Sequence, residues 1–218
     1  MYKNETAISS GAKEPLSGVR ARTHKLLIET ALHLLEGGWF PSVSELAKAA
    51  DVSRATAYRY FPTQSDLMAA VMDAVLVQVQ QWQPLSDDDA VLRMQELLAF
   101  AYPQMMTHEG ALRAAIQVSL SQWAAQRAEP SAAAEHLVRG NRKELVARAV
   151  SPLQSSLSEP AYQRLMQALS MVYGSEPIVV LKDIWQLESA EITEVTQWMA
   201  KALIRQAQED AKADSAEK

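Results

Sequence analysis

Positions 54–60 read Arg-Ala-Thr-Ala-Tyr-Arg-Tyr, a run rich in side chains that can touch nucleic acid. The guanidinium groups of Arg54 and Arg59 can fork onto guanine. Ala55 and the Thr56 methyl can meet the thymine methyl, and the hydroxyls of Thr56, Tyr58 and Tyr60 can reach phosphate. Chemistry of other kinds finds no comparable set. The chain has no cysteine, which excludes a disulfide scaffold, a thiol nucleophile and thiolate metal sites. It also lacks H-E-x-x-H, G-x-S-x-G, a P-loop and G-x-G-x-x-G. His108-Glu109 and Glu135-His136 are sequence neighbours, so on a helix they diverge by roughly 100° and cannot grip one ion. No enzyme, metal or cofactor is expected.

Such a reading set works only on a short exposed helix held rigidly from behind, and the flanking residues supply one. Ser42 with Glu45 forms a capping box opening a two-turn helix at about Val43–Ala50, and Ser53 caps the next from Arg54 to about Phe61. Asp51 lies in the turn between them, where a residue tolerant of positive φ is needed. Leu46, Ala47, Ala50, Val52 and Ala57 form the inner face, Ala47 being small where the helices cross. An apolar stripe predicts a helix over Arg20–Leu35 with Thr23 as N-cap, stopped by Gly37-Gly38. Pro62 ends the reading helix, and Thr63 with Asp66 starts a long one to about Gln81. The geometry is a helix-turn-helix.

Taken together, Arg20–Val77 resembles the TetR family of transcriptional regulators. The resemblance is carried by Leu34-Leu35-Glu36-Gly37-Gly38, by Ala47 and Val52-Ser53-Arg54, and by Tyr58-Arg59-Tyr60-Phe61-Pro62 followed by Leu67. It implies a homodimer placing one such helix per subunit in successive major grooves of a palindromic double-stranded operator. By position, Arg54, Ala55, Thr56 and Arg59 would read bases, while Ser53, Tyr58 and Tyr60 would hold phosphates and Ser42 and Ser44 would touch the backbone. Two positions depart from the family pattern. Asp51 stands where glycine is usual, and Gln64 opens the fourth helix where a phosphate-binding lysine is common, which leaves Gln64 itself as the candidate phosphate contact there. Backbone affinity therefore shifts toward Arg20, Arg22 and Lys25.

Charge is divided along the chain. The net −5 splits into eight Lys/Arg against six Asp/Glu in residues 1–65 and thirteen against twenty in the remainder, a mildly basic head on an acidic body. Residues 1–19 read as a flexible arm, 20–65 as the helix-turn-helix domain linked through helix 63–81, 66–210 as a ligand-binding and dimerisation body, and 211–218 as a disordered tail. Further helices are expected at about 89–106, 110–127, 131–150, 159–182 (kinked at Gly174–Pro177) and 189–209, giving an all-α chain of about nine helices. Ile178–Leu181 is expected as buried helix, and Pro103 as a bend or an early stop. Neither a membrane span nor a secretory leader is apparent, so the cytoplasm is the expected compartment.

In the body, Trp82, Phe100, Tyr102, Met105, Met106, Trp123, Met166, Met171 and Tyr173 offer adaptable walls for a small apolar or aromatic effector, or plain core. His108, Gln117, Gln122 and His136 are polar candidates. Leu165, Leu169, Val172, Val195, Trp198, Met199 and Leu203 lie on two C-terminal helices resembling the family's dimer pair, and could instead cover the protomer's own core. The resulting expectation is an effector-released repressor. The competing reading is a ligand-binding or catalytic helical bundle in which the helix-turn-helix is incidental.

Overall fold

A computed structural model describes residues 18–128 and 142–216. Among them are ten α-helices, one short 3-10 turn and no strand. The head holds α1 (Val19–Glu36), α2 (Val43–Ala49) and α3 (Arg54–Tyr60). The body follows with α4 (Gln64–Gln80), α5 (Ala90–Thr107), α6 (Glu109–Ala128), α7 (Arg142–Val150), α8 (Glu159–Leu169), α9 (Ser175–Asp183) and α10 (Ser189–Ala216). No helix among the described residues is long and apolar enough to cross a membrane.

Local side-chain capping explains the starts of α2 to α5. Ser42 and Glu45 close their capping box on α2, Ser53 accepts from the Thr56 amide at α3, and Thr63 with Asp66 forms a second box on α4. Asp89 Oδ1 accepts from Val91 N (2.8 Å) and Leu92 N (3.1 Å), starting α5. Gly38, at φ 79°, turns the chain out of α1.

Several boundaries differ from those read in the sequence. Gly18, not Thr23, is the N-cap of α1; Thr23 Oγ1 lies inside the helix and donates to Val19 O at 3.0 Å. The expected 159–182 helix is two helices. Gly174 at φ 144° separates them, and a Cβ there would collide with the Arg142 guanidinium. Arg142 itself holds the break, donating to Ser170 O (3.0 Å) and to Glu176 Oε2 (2.5 Å). α9 is not buried throughout, because Ile178 is inside while Val180 faces solvent. α5 continues through Pro103 to Thr107. α10 runs past 210 to Ala216 because Ala207 and Ala211 still pack on the body core. Of the remaining expectations, the arm over 1–17, the helix over 131–141 with His136, and residues 217–218 lie outside the described residues.

Two hydrophobic cores result. Leu27, Ala31, Leu46, Ala47, Ala57 and Phe61 fill the head core with Leu67, Met68, Val71 and Val75 from α4. Val79, one turn further along α4, belongs instead to the body core with Met94, Leu98, Tyr102, Leu169 and Ile204. α6 also crosses the boundary, giving Ala111 and Ala114 to the head and Leu112 to the body. The start of α6 is capped from far away: Glu36 Oε2 accepts from Gly110 N (3.0 Å) and Glu36 Oε1 from Ala111 N (3.4 Å). Behind it, Glu109 pairs with Arg113 (2.8 Å) and Lys182, and Arg113 reaches Asp183 (2.5 Å), tying α6 to α9.

Two outcomes follow from this joint. A Cβ at position 110 would stand 2.9 Å from Glu36 Cα and inside the envelope of the Leu35 carbonyl, all of it backbone. Gly110→Ala should therefore cost roughly 1–3 kcal/mol or more, read as a lower urea midpoint. Burial pushes the Glu109 carboxyl up, but hydrogen bonds and charge from Lys182 and Arg113 win and hold it below its ordinary value of 4.5. A depressed carboxyl stabilises the fold above the unfolded value and loses that contribution as pH falls through the folded one. The melting temperature of the parent should thus fall more steeply than that of Glu109→Gln as pH drops below about 5.

Candidate nucleic-acid interface

The helix-turn-helix is built from the turn outward. Val52 N donates to Ala47 O at 3.0 Å, and Asp51 takes φ 52°, so the chain reverses between α2 and α3 through a left-handed residue. Ala47 and Ala57 are both at 0% exposure, which lets the two helices cross at close range. Phe61, at 1%, anchors the end of α3 in the head core. With α3 held from behind by Ala57 and Phe61, its outer face presents Arg54, Ala55, Tyr58 and Arg59 to solvent.

Smaller contacts fix that face. Ser53 Oγ and Thr56 Oγ1 share a hydrogen bond of 2.8 Å, which orients the Thr56 side chain at the first turn of α3. Tyr58 Oη and Ser44 Oγ stand 3.2 Å apart, linking the recognition face to the first turn of α2. The Ser42 amide and hydroxyl hold the Glu45 carboxyl below its ordinary range, so α2 starts from an ionised cap. Arg20, Arg22 and Lys25 are exposed along the N-terminal half of α1.

Two proposed phosphate contacts have partners inside the head. Tyr60 is half-buried, donates to Arg20 O at 3.2 Å, and packs near His24 and Phe61, with the Arg59 guanidinium 5.6 Å from its ring centre. Its contact with the Arg20 carbonyl spans 40 residues, so Tyr60 fastens α3 to the start of α1. Gln64 is half-buried and donates to Pro41 O at 2.8 Å, tying the start of α4 to the loop before α2.

The other sequence-derived candidates are scattered. Trp82, Tyr102, Met105 and Tyr173 are buried in the body core, with Met106 and Met166 half-buried against it. Tyr102 Oη donates to Val172 O at 2.5 Å, and burial pushes the Tyr173 hydroxyl up to about 12. Phe100, Met171 and Trp123 are exposed instead. These residues therefore do not form one wall. Of the polar candidates, Gln117 and Gln122 border a cleft between the head and α6, whereas His108 sits against Glu36 at the start of α6. Leu165, Leu169 and Val172 are buried within the protomer and are not available to a partner; Val195 and Leu203 are half-buried, and Trp198 and Met199 are exposed. Ile184, which the sequence reading passed over, is exposed, as are Trp185 and Val180, the latter expected within a buried helix. No group of three or more His, Asp or Glu suited to a metal ion occurs among the described residues.

Residues 27–71 match the model of a family described as bacterial regulatory proteins, tetR family. The HTH-type transcriptional repressor LfrR of Mycolicibacterium smegmatis (strain ATCC 700084 / mc(2)155) is 33% identical over 82 residues, and the match covers 35% of this chain and 43% of that repressor's length. Two solved structures share the fold. One is a TetR transcriptional regulator from Rhodococcus sp. RHA1, with a TM-score of 0.54 at 19% identity over 86% of this chain and 97% of that one. The other is a tetR-family transcriptional regulator from Streptomyces coelicolor, with a TM-score of 0.62 at 18% identity over 90% of this chain and 87% of that one.

The left-handed turn has a direct test. A Cβ in that region costs about 1–2 kcal/mol unless the side chain compensates locally, as Asp can. Asp51→Ala should lower stability by about 1 kcal/mol, whereas Asp51→Gly should match or exceed the parent in urea unfolding.

Proposed function

We propose, from the premise that the chain belongs to the TetR family of bacterial regulatory proteins, that it is a homodimeric repressor which binds a palindromic operator and is released by a small molecule. The observation that carries the reading is the outer face of α3. Two arginines and small or hydroxylated side chains face solvent on a helix fixed by Ser53 at its start and Phe61 at its end.

In this reading Arg54, Ala55, Thr56 and Arg59 contact bases. Ser44, Ser53 and Tyr58 hold the sugar-phosphate backbone, with Gln64 at its edge, and Arg20, Arg22 and Lys25 supply counter-charge. Ser42 and Tyr60, whose donors go to Glu45 and to the Arg20 carbonyl, instead position α2 and α3 for that contact. A head this small reads only a few base pairs, so a second copy is needed for a site of useful length. Exposed Met171, Val180, Ile184, Trp185, Trp198 and Met199, all on or beside α8–α10, are apolar surface for that dimer. The link between effector and head is α4, whose Val75 lies in the head core and Val79 in the body core. A shift of α4 in the body would move the head and change the spacing of two recognition helices.

The test retains fragments of the source genome on purified protein at two salt concentrations and sequences them. The expected result is a short palindrome whose retention weakens with salt. Arg59→Ala should weaken binding to that palindrome by about 1–3 kcal/mol and relax preference at one base pair. Arg20→Ala should weaken all sequences alike and lower the salt slope by about one. If no sequence is enriched and Arg54→Ala and Arg59→Ala behave as the parent, the chain is a helical bundle whose helix-turn-helix is incidental.

A further inference from the structure

Between the head and α6 lies a cleft of about 450 Å³, within the size range of small-molecule sites. Its floor is apolar: Leu35 from α1, Leu67 and Met68 from α4, and Ala114 and Val118 from α6. Its rim is polar and, among the described residues, carries no Lys, Arg or His. Gln117, Ser121 and Gln122 line it on the α6 side, and Gln64 and Ser65 on the α4 side. Gln122 Nε2 donates across the cleft to Ser65 Oγ at 2.6 Å, joining α6 to the first turn of α4. Among the described residues the single ionisable group in the lining, Glu45, accepts from Ser42 N (2.8 Å) and Ser42 Oγ (2.7 Å) within its own capping box.

We infer that this cleft binds a small uncharged molecule, mostly apolar with a hydrogen-bonding group at one end, and that occupancy changes the DNA affinity of the head. Among the described residues no lining cation is present to meet an anion, and the one lining carboxylate is engaged in capping α2. The apolar floor takes the body of the molecule, while the amide of Gln117 and the hydroxyl of Ser121 take its polar end. The coupling rests on the DNA-binding reading above and follows from position. The cleft touches the capping residues of α2 and the first turn of α4, the two elements flanking α3, and its far wall is the body helix α6. A molecule seated there contacts both sides of the head–α6 joint, so it binds most tightly to one relative placement of them.

The test titrates the full chain with N-phenyl-1-naphthylamine, an uncharged apolar probe with one N–H, whose fluorescence rises on leaving water. One saturable site per chain is expected. Ser121→Trp and Gln117→Trp, both at exposed rim positions, should each weaken binding at least tenfold. Leu120→Trp, exposed on α6 outside the lining and on a face turned away from it, should bind as the parent; circular dichroism checks folding, and either rim variant suffices if the other does not fold. Absence of saturable binding by the parent, or parent-like binding by a folded rim variant, overturns the site. A second arm repeats DNA retention with the probe at saturation, where a change of about fivefold or more is expected. Cleft binding with unchanged DNA retention overturns the coupling. Cleft binding by a chain that retains no DNA overturns the regulator reading and leaves the ligand site standing.

Discussion

The relative placement of head and body depends on how the first turn of α6 meets the last turn of α1. Gly110 comes so close to the Leu35 carbonyl and Glu36 Cα that no side chain fits. At that spot the exposed amides of one helix face the carbonyl end of another, so the two helix dipoles attract. The Glu36 carboxylate adds to this by accepting from the Gly110 and Ala111 amides. Once this contact is made, Ala111 and Ala114 enter the head core, and α6 becomes a wall of the head as much as a member of the body.

Everything C-terminal of α6 then takes its place relative to that wall. Arg113 and Glu109 bind α9 through Asp183 and Lys182. Burial lowers and hydrogen bonds to carboxylates raise the Arg113 guanidinium, and the bond to Asp183 dominates, so its charge is fixed at any accessible pH. A second arginine, Arg148 on α7, donates to the carbonyls of Gln80 (3.4 Å) and Trp82 (2.5 Å), satisfying the C-terminal end of α4. A third, Arg142, holds the α8–α9 break. Each of these cations occupies a point where helix ends leave carbonyls or carboxylates in need of a donor. The polar joints are therefore placed at helix termini, and the apolar cores lie between them.

That division explains what the sequence made legible. Caps such as Ser42, Ser53, Thr63 and Asp89 act over three residues, so the types and spacing show them directly, and the left-handed role of Asp51 follows from its place in a short turn. The Glu36 cap spans 74 residues and leaves no local pattern. The Gly174 break was visible as a glycine near a proline, but its depth depends on Arg142 occupying the space of a Cβ. The body's methionines and aromatics repeat at helical spacing whether they wall a cavity or fill a core; here Tyr102, Met105 and Tyr173 fill it. Conversely, the cleft beside the head draws its lining from α1, α2, α4, α6 and a loop, so no single stretch of sequence could announce it. Gln117 and Gln122 were legible only as polar residues on a helix of mixed composition.

The charge division bears on how such a head would discriminate. In the proposed reading an acidic body disfavours general contact with DNA, and the head has only a small positive excess to attract it. Weak general attraction keeps non-specific retention low, since that term scales with the phosphates neutralised. On the proposed dimer, specific affinity would come from the few base contacts α3 can make and from having two heads on one site. Under those conditions the spacing of the heads matters more than the strength of either. A rigid joint at Gly110, adjoining a cleft lined by both head and α6, is where a small change in packing would alter that spacing most.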